Sequence, residues 1–151
     1  MEGLYRFLFF SHAFVGMGAI GGGLAAIFNP QEPLGVSTEL LKNSPFTNYL
    51  IPGIILFTII GLGNITSAVT IYFKSRFQGY ISSVFSWALV IWIIVQCIMI
   101  GTVNLLHITY FIIGVIEVIL STIIMFEQNL YPANVILNFY KKARREIHYK
   151  K

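Results

Sequence analysis

Four long stretches of this chain carry no lysine or arginine, and that absence constrains the fold more than any motif. They run Phe7–Phe28, Leu50–Phe73, Tyr80–Gly101 and Leu105–Phe126. A helix needs ~20 apolar residues to cross a ~30 Å hydrocarbon core, so each stretch is about one crossing long. Only helices and closed barrels satisfy every backbone polar group in lipid. The alternating segments of a barrel strand are absent from all four. The sequence therefore predicts an all-α membrane protein, an antiparallel bundle of four transmembrane helices. Composition points the same way. Of 151 residues, 56% are hydrophobic and 11% charged, against about 25% charged in soluble domains. A soluble fold of this length could not hide so much apolar surface. A soluble enzyme, a disordered chain and a nucleic-acid-binding domain are excluded.

The connections set the topology. The second and third spans are joined by Lys74–Gly79, and the third and fourth by a turn around Thr102–Asn104. Short links make sequential helices antiparallel neighbours. The first link, Asn29–Tyr49, is longer and holds Pro30, Pro33, Gly35 and Pro45. It reads as a short extracytoplasmic segment in which Ser37 caps a brief interfacial helix. Pro52 falls in the first turn of the second span, where its missing N–H costs least.

Cations collect on the cytoplasmic side of membrane proteins. Nine of the ten Lys and Arg residues fall on the side that holds both ends of a four-span chain. They are Arg6, Lys74, Arg76, Lys141, Lys142, Arg144, Arg145, Lys150 and Lys151, with Lys42 alone on the other. Both termini are predicted cytoplasmic. The first apolar run is too long for a signal-peptide core of 7–15 residues, and Glu2 offsets Arg6 ahead of it, so a membrane span is favoured over cleavage.

The chain divides into a transmembrane domain over 1–130 and a basic tail over 131–151. In the tail, Val135, Ile136, Phe139, Tyr140 and Ile147 share one helical face. Asn134, Asn138, Lys141, Lys142 and Arg145 lie opposite, with Arg144 in the same basic cluster. That pattern reads as an interfacial helix held to anionic lipid. It accounts for the basic balance of +4 without nucleic acid.

Function in such a chain is expected where polar groups enter the bilayer. Glu117 is the one acidic residue within the four spans. At 1.5 Å per residue, Glu117, Asn64 and His12 all fall roughly 10–14 Å from the cytoplasmic boundary. Residues three or four apart share a helix face. His12 therefore groups with Gly16, Ala19 and Gly23, and Asn64 with Gly53, Gly61 and Ala68. Glu117 groups with His107, Tyr110, Gly114 and Ser121, while Gln96 sits one turn from Trp92. The candidate intramembrane polar site is Glu117, Asn64, His12, Gln96, Tyr110 and Ser121. Its bland reading is a neutral glutamate that hydrogen-bonds Asn64 or a backbone carbonyl as packing glue. Its functional reading is a proton- or cation-responsive group paired with His12. Gly16, Gly18, Gly22, Gly23, Gly61 and Gly114 read as helix-packing positions. Gly18 and Gly22 form a GxxxG pair that suits close packing within the bundle first and homodimerisation second.

Catalytic and cofactor signatures are missing. The chain has no Asp, no Ser–His–Asp set and no nucleophile elbow. Single Cys97 permits no disulfide within the chain. His12 and His107 fall near opposite boundaries, too far apart to share a haem iron. No metal-ligand spacing is present. Neither an enzyme nor a cofactor is predicted.

Three stretches, Leu41–Phe57, Ile91–Gln96 and Tyr110–Glu117, resemble small bacterial four-helix membrane proteins, and the hydropathy outline is similar to DoxX-like proteins. The resemblance implies a four-helix bundle in a prokaryotic inner membrane and carries no site residues. The function expected from these readings is a membrane accessory or regulatory protein. Its polar and small-residue faces would bind helices of another membrane protein or of a second copy. The rivals are a small proton- or cation-coupled transporter or channel using Glu117, and a redox-associated membrane subunit.

Overall fold

A computed structural model describes residues 2–128 and 135–142. The described residues are helical with no strand. Four helices are long and apolar enough to cross a membrane. They are α1 (Glu2–Phe28), α2 (Leu50–Tyr72), α3 (Gln78–Ile100) and α4 (Leu105–Glu127). A 23-residue helix rises ~35 Å, enough for the hydrocarbon core. Each helix extends to within a few residues of the bounds expected from the apolar runs.

The helix ends follow from local chemistry. After α3, Gly101 adopts φ 69° and returns its N–H to the Cys97 carbonyl at 3.0 Å. A left-handed residue there favours glycine. Three residues later Asn104 begins α4. Its Oδ1 accepts from the His107 N–H at 3.1 Å, and His107 Nδ1 accepts from the Asn104 N–H at 3.3 Å. His107 thus spends a ring nitrogen on a capping box. The long first link holds two 3₁₀ turns, Pro33–Gly35 and Thr38–Leu41. Ser37 caps the second through Glu39, as expected, but the turn does not grow into an interfacial helix. Ser44 closes it by donating both N–H and hydroxyl to the Leu41 carbonyl. Tyr49 anchors this link by donating to the Ser37 carbonyl at 3.1 Å, and burial pushes its phenol above the ordinary tyrosine range.

Helix α2 is not uniform. Leu50–Ile55 and Gly63–Tyr72 are α-helical, whereas Leu56–Leu62 between them is π-helical. The reason is visible in its packing on α1. Gly53 lies against Gly23 and Ala26, Phe57 against Gly23, Gly61 against Ile20, and Ile65 against Gly16. These α2 positions recur every four residues. An α-helix of 3.6 residues per turn would drift ~40° at each step, and the wider π turn removes the drift.

The closest approach of one helix backbone to another is at Gly23. A Cβ there would lie 2.7 Å from the Phe57 nitrogen and 2.9 Å from the Gly53 carbonyl oxygen. Gly16, Gly61 and Gly114 meet Ile65, Ile20 and Val90 at similarly short range. Gly18, which is exposed, faces the Tyr110 hydroxyl, and half-buried Gly22 faces Leu56, so both glycines make room for side chains of this chain.

The buried apolar residues form three layers. Ala26, Leu41, Tyr49 and Met99 close the end beside the long link. Val15, Ala19, Ile60, Leu89, Trp92 and Ile93 fill the middle. Leu8, Ile71 and Ile124 close the end near the N-terminus. Large apolar side chains such as Phe10, Phe14, Ile91, Ile98, Ile112 and Ile119 remain exposed on the outer faces, an exterior suited to lipid. In the tail, residues 135–142 are helical, and Val135, Ile136, Phe139, Tyr140, Lys141 and Lys142 are exposed. The expected roles of Arg144, Arg145 and Ile147 fall outside the described residues.

Candidate functional site

Between the middle and N-terminal apolar layers lies a polar one. His12 comes from α1, Asn64 from α2, Ser82 from α3 and Glu117 from α4, and all four are fully buried. Three of them stand about one turn from an apolar layer residue: Leu8 and Val15 flank His12, Ile60 precedes Asn64, and Leu120 follows Glu117.

The imidazole is the hub. Its Nδ1 lies 2.7 Å from Asn64 Oδ1, and its Nε2 lies 2.5 Å from Ser82 Oγ. Asn64 Nδ2 donates to the Ile60 carbonyl at 2.8 Å. The amide's donor end is thus committed to its own helix, and Oδ1 faces the ring as an acceptor. Nδ1 must then carry a hydrogen. On the other side the Ser82 hydroxyl can donate to a bare Nε2 or accept from a protonated one. Both protonation states of the ring are accommodated without moving a heavy atom.

The carboxylate sits beside the same nitrogen. Glu117 Oε2 is 3.4 Å from His12 Nδ1 and accepts no hydrogen bond. Oε1 accepts from the Ser11 hydroxyl at 2.7 Å. Of the two partners the sequence suggested for the glutamate, Asn64 is not one it bonds; His12 takes the Asn64 carbonyl oxygen instead. The result is one exchangeable group on α1 facing another on α4, with each held by a hydroxyl or amide from a neighbouring residue.

The other expected site residues separate from this cluster. Ser121 is fully buried but donates to the Val118 carbonyl of its own helix at 3.1 Å. Gln96 and Tyr110 lie in a different layer, lining a cavity of about 310 Å³ with Trp92 and His107. The Tyr110 ring stacks on Phe14 with centroids 6.1 Å apart. This cavity also touches Val15 and Ile60, one turn from His12 and Asn64 respectively. Ser11 and Ser82 are the members that sequence reasoning missed as site residues. Hydroxyls in membrane helices commonly satisfy themselves on their own backbone, as Thr58, Thr66 and Ser86 do here. Only the three-dimensional arrangement distinguishes the two that reach the His12–Glu117 pair.

Among the described residues, no group of three His, Cys, Asp or Glu side chains could hold a metal ion. His12 and Glu117 would supply two ligands between them. Cys97 is free and half-buried on α3. No protein-family model matches the chain, and no curated protein or solved structure is significantly similar to it, so neither a DoxX-like family nor any other is supported.

Proposed function

We propose that this chain is a small proton-coupled transporter or channel whose exchanging groups are Glu117 and His12. The observation that carries the reading is the 3.4 Å approach of Glu117 Oε2 to His12 Nδ1 inside a fully buried four-helix layer. Ionisable side chains at such depth are costly and mark ion or proton pathways. A proton delivered to Nε2 gives an imidazolium that donates to both Asn64 Oδ1 and Ser82 Oγ, with its charge balanced by Glu117 Oε2 at 3.4 Å. The 310 Å³ cavity comes within one helical turn of the pair on one side. Leu8, Ile71 and Ile124 seal the other. Access from one side with closure on the other is the arrangement that alternating access requires.

The accessory reading loses one of its supports. Glu117, Asn64 and His12 spend their contacts within the bundle, so they cannot supply polar contacts to a partner helix. An antiparallel bundle is supported by the contact registers: Gly23 meets Gly53 while Gly16 meets Ile65, and Gly79 meets Ile124 while Gly114 meets Leu89. The distribution of cations supports cytoplasmic termini, in a prokaryotic inner membrane if the hydropathy likeness is followed.

The test is proton flux into liposomes carrying the purified protein and an internal pH-sensitive dye. Wild type should conduct above protein-free vesicles. Glu117→Gln keeps the volume and the Ser11 hydrogen bond but cannot exchange a proton. It should lower flux on the order of a hundredfold and shift stability by no more than about 1–2 kcal/mol. Wild-type flux equal to that of empty vesicles, under either direction of gradient, refutes the proposal.

A further inference from the structure

A larger cavity, of about 550 Å³, opens at the opposite side of the Leu8–Ile71–Ile124 seal. Its lining has two distinct parts. Arg6, Lys74 and Glu2 provide charge at the rim, while Phe9, Phe10 and Ile71 provide apolar wall. Gln78, the first residue of α3, also lines it. The Gln78 side chain is 5% exposed and its Oε1 accepts no hydrogen bond. A buried amide oxygen left without a donor is costly. Something that brings an N–H or O–H group into this cavity would relieve it.

The combination specifies an amphiphile. Two cations select an anionic oxygen group such as phosphate. Gln78 Oε1, with Glu2 at the rim, selects a hydrogen-bond donor beside that phosphate. The aromatic wall selects hydrocarbon. We propose that this cavity binds a phospholipid of the surrounding membrane whose headgroup carries an N–H or O–H donor. Its phosphate pairs with Arg6 and Lys74, its headgroup donor meets Gln78, and an acyl chain runs along Phe9 and Phe10. The site is separate from the exposed Lys141 and Lys142 of the tail and does not depend on proton exchange at Glu117. A free phosphate would satisfy the cations but would leave the apolar wall wet.

Native mass spectrometry of the full chain, released from mild detergent with defined lipids, reads occupancy directly. Lipids with ethanolamine or glycerol headgroups should be retained at one per chain. The choline lipid of the same acyl chains, which has no headgroup donor, should be retained less. Arg6→Gln with Lys74→Gln should reduce retention on the order of tenfold or more, since two charge-assisted contacts are lost. Lys141→Gln with Lys142→Gln should leave it unchanged. Gln78→Leu should abolish the preference for donor headgroups over choline while the chain remains folded by circular dichroism. Retention that ignores Arg6 and Lys74, retention that follows the tail lysines, or equal retention of all three headgroups in wild type overturns the proposal. So does full displacement by inorganic phosphate at a concentration matching the lipid's, which would assign the site to a soluble anion.

Discussion

At the scale of single residues, the central fact is a committed amide. Because Asn64 Nδ2 already serves the Ile60 carbonyl, its Oδ1 dictates the tautomer of His12. The neutral ring should carry its hydrogen on Nδ1, with Nε2 bare and facing Ser82. Nitrogen-15 chemical shifts of labelled His12 read this directly, and a ring with hydrogen on Nε2 would remove the route by which Nδ1 serves Glu117. The same geometry gives Ser82 a measurable weight. Ser82→Ala leaves Nε2 without its partner in a dry layer, and should destabilise the protein by about 0.6–1.7 kcal/mol in detergent unfolding. A change near zero would mean that water replaces the hydroxyl. Much of this layer was legible in the sequence. Counting rise per residue from the span ends placed His12, Asn64 and Glu117 at one depth, and that count needed only helices. It could not separate Gln96 and Tyr110, which share small-residue faces with the cluster but belong to the neighbouring layer. Nor could it say that Asn64 would turn to the histidine rather than the glutamate, since that choice depends on which way each helix is rotated.

At the scale of elements, rotation is governed by the π-helical turn of α2. No composition signal marks Leu56–Leu62; its only trace in the sequence is the four-residue spacing of Gly53, Phe57, Gly61 and Ile65, which has meaning once α1 is known to lie alongside. Deleting exposed Thr58 should convert the segment to an ordinary α-helix that turns through nearly the same angle with one residue fewer, leaving Gly53 and Ile65 within ~20° of one face. Asn64 should keep facing His12, so the deletion variant should retain flux and fold, as should Thr58→Ala. A folded deletion variant that loses flux would show that the wide turn itself, and not only the face it sets, is needed to build the site. Glycine substitutions give a matched test of the α1–α2 contact. At Gly21 a Cβ would meet nothing within 4 Å, while at Gly23 it would strike backbone atoms that cannot yield. Gly21→Ala should therefore be neutral or stabilising, by up to ~1 kcal/mol from helix propensity alone. Gly23→Ala should cost about 1–3 kcal/mol from overpacking. Thermal unfolding of both variants in one detergent decides the matter, and equal effects would contradict the close crossing at Gly23.

At the scale of the whole molecule, scarce charge does two separate things. One acid is placed inside the bundle beside a histidine, and the cations are sorted between the two ends. The sorting fixes orientation only if all four helices cross, because an even number returns the chain to its starting side. Of the positions outside the spans, Lys42 lies in the long first link and Ser75 in the short turn after α2, where both are accessible or half-accessible. With Cys97 replaced by Ala to remove the native thiol, Lys42→Cys should react with a membrane-impermeant maleimide added to intact cells. Ser75→Cys should react only after the membrane is opened. Removing Lys42 also makes the charge bias more complete, so the substitution reinforces the orientation it reports. Labelling of both positions from outside would mean that α2 does not cross, and reversed labelling would place the 310 Å³ cavity on the cytoplasmic side. Either result would redirect the proposed proton route, since the cavity and the Leu8–Ile71–Ile124 seal would face different compartments from those the cation distribution assigns.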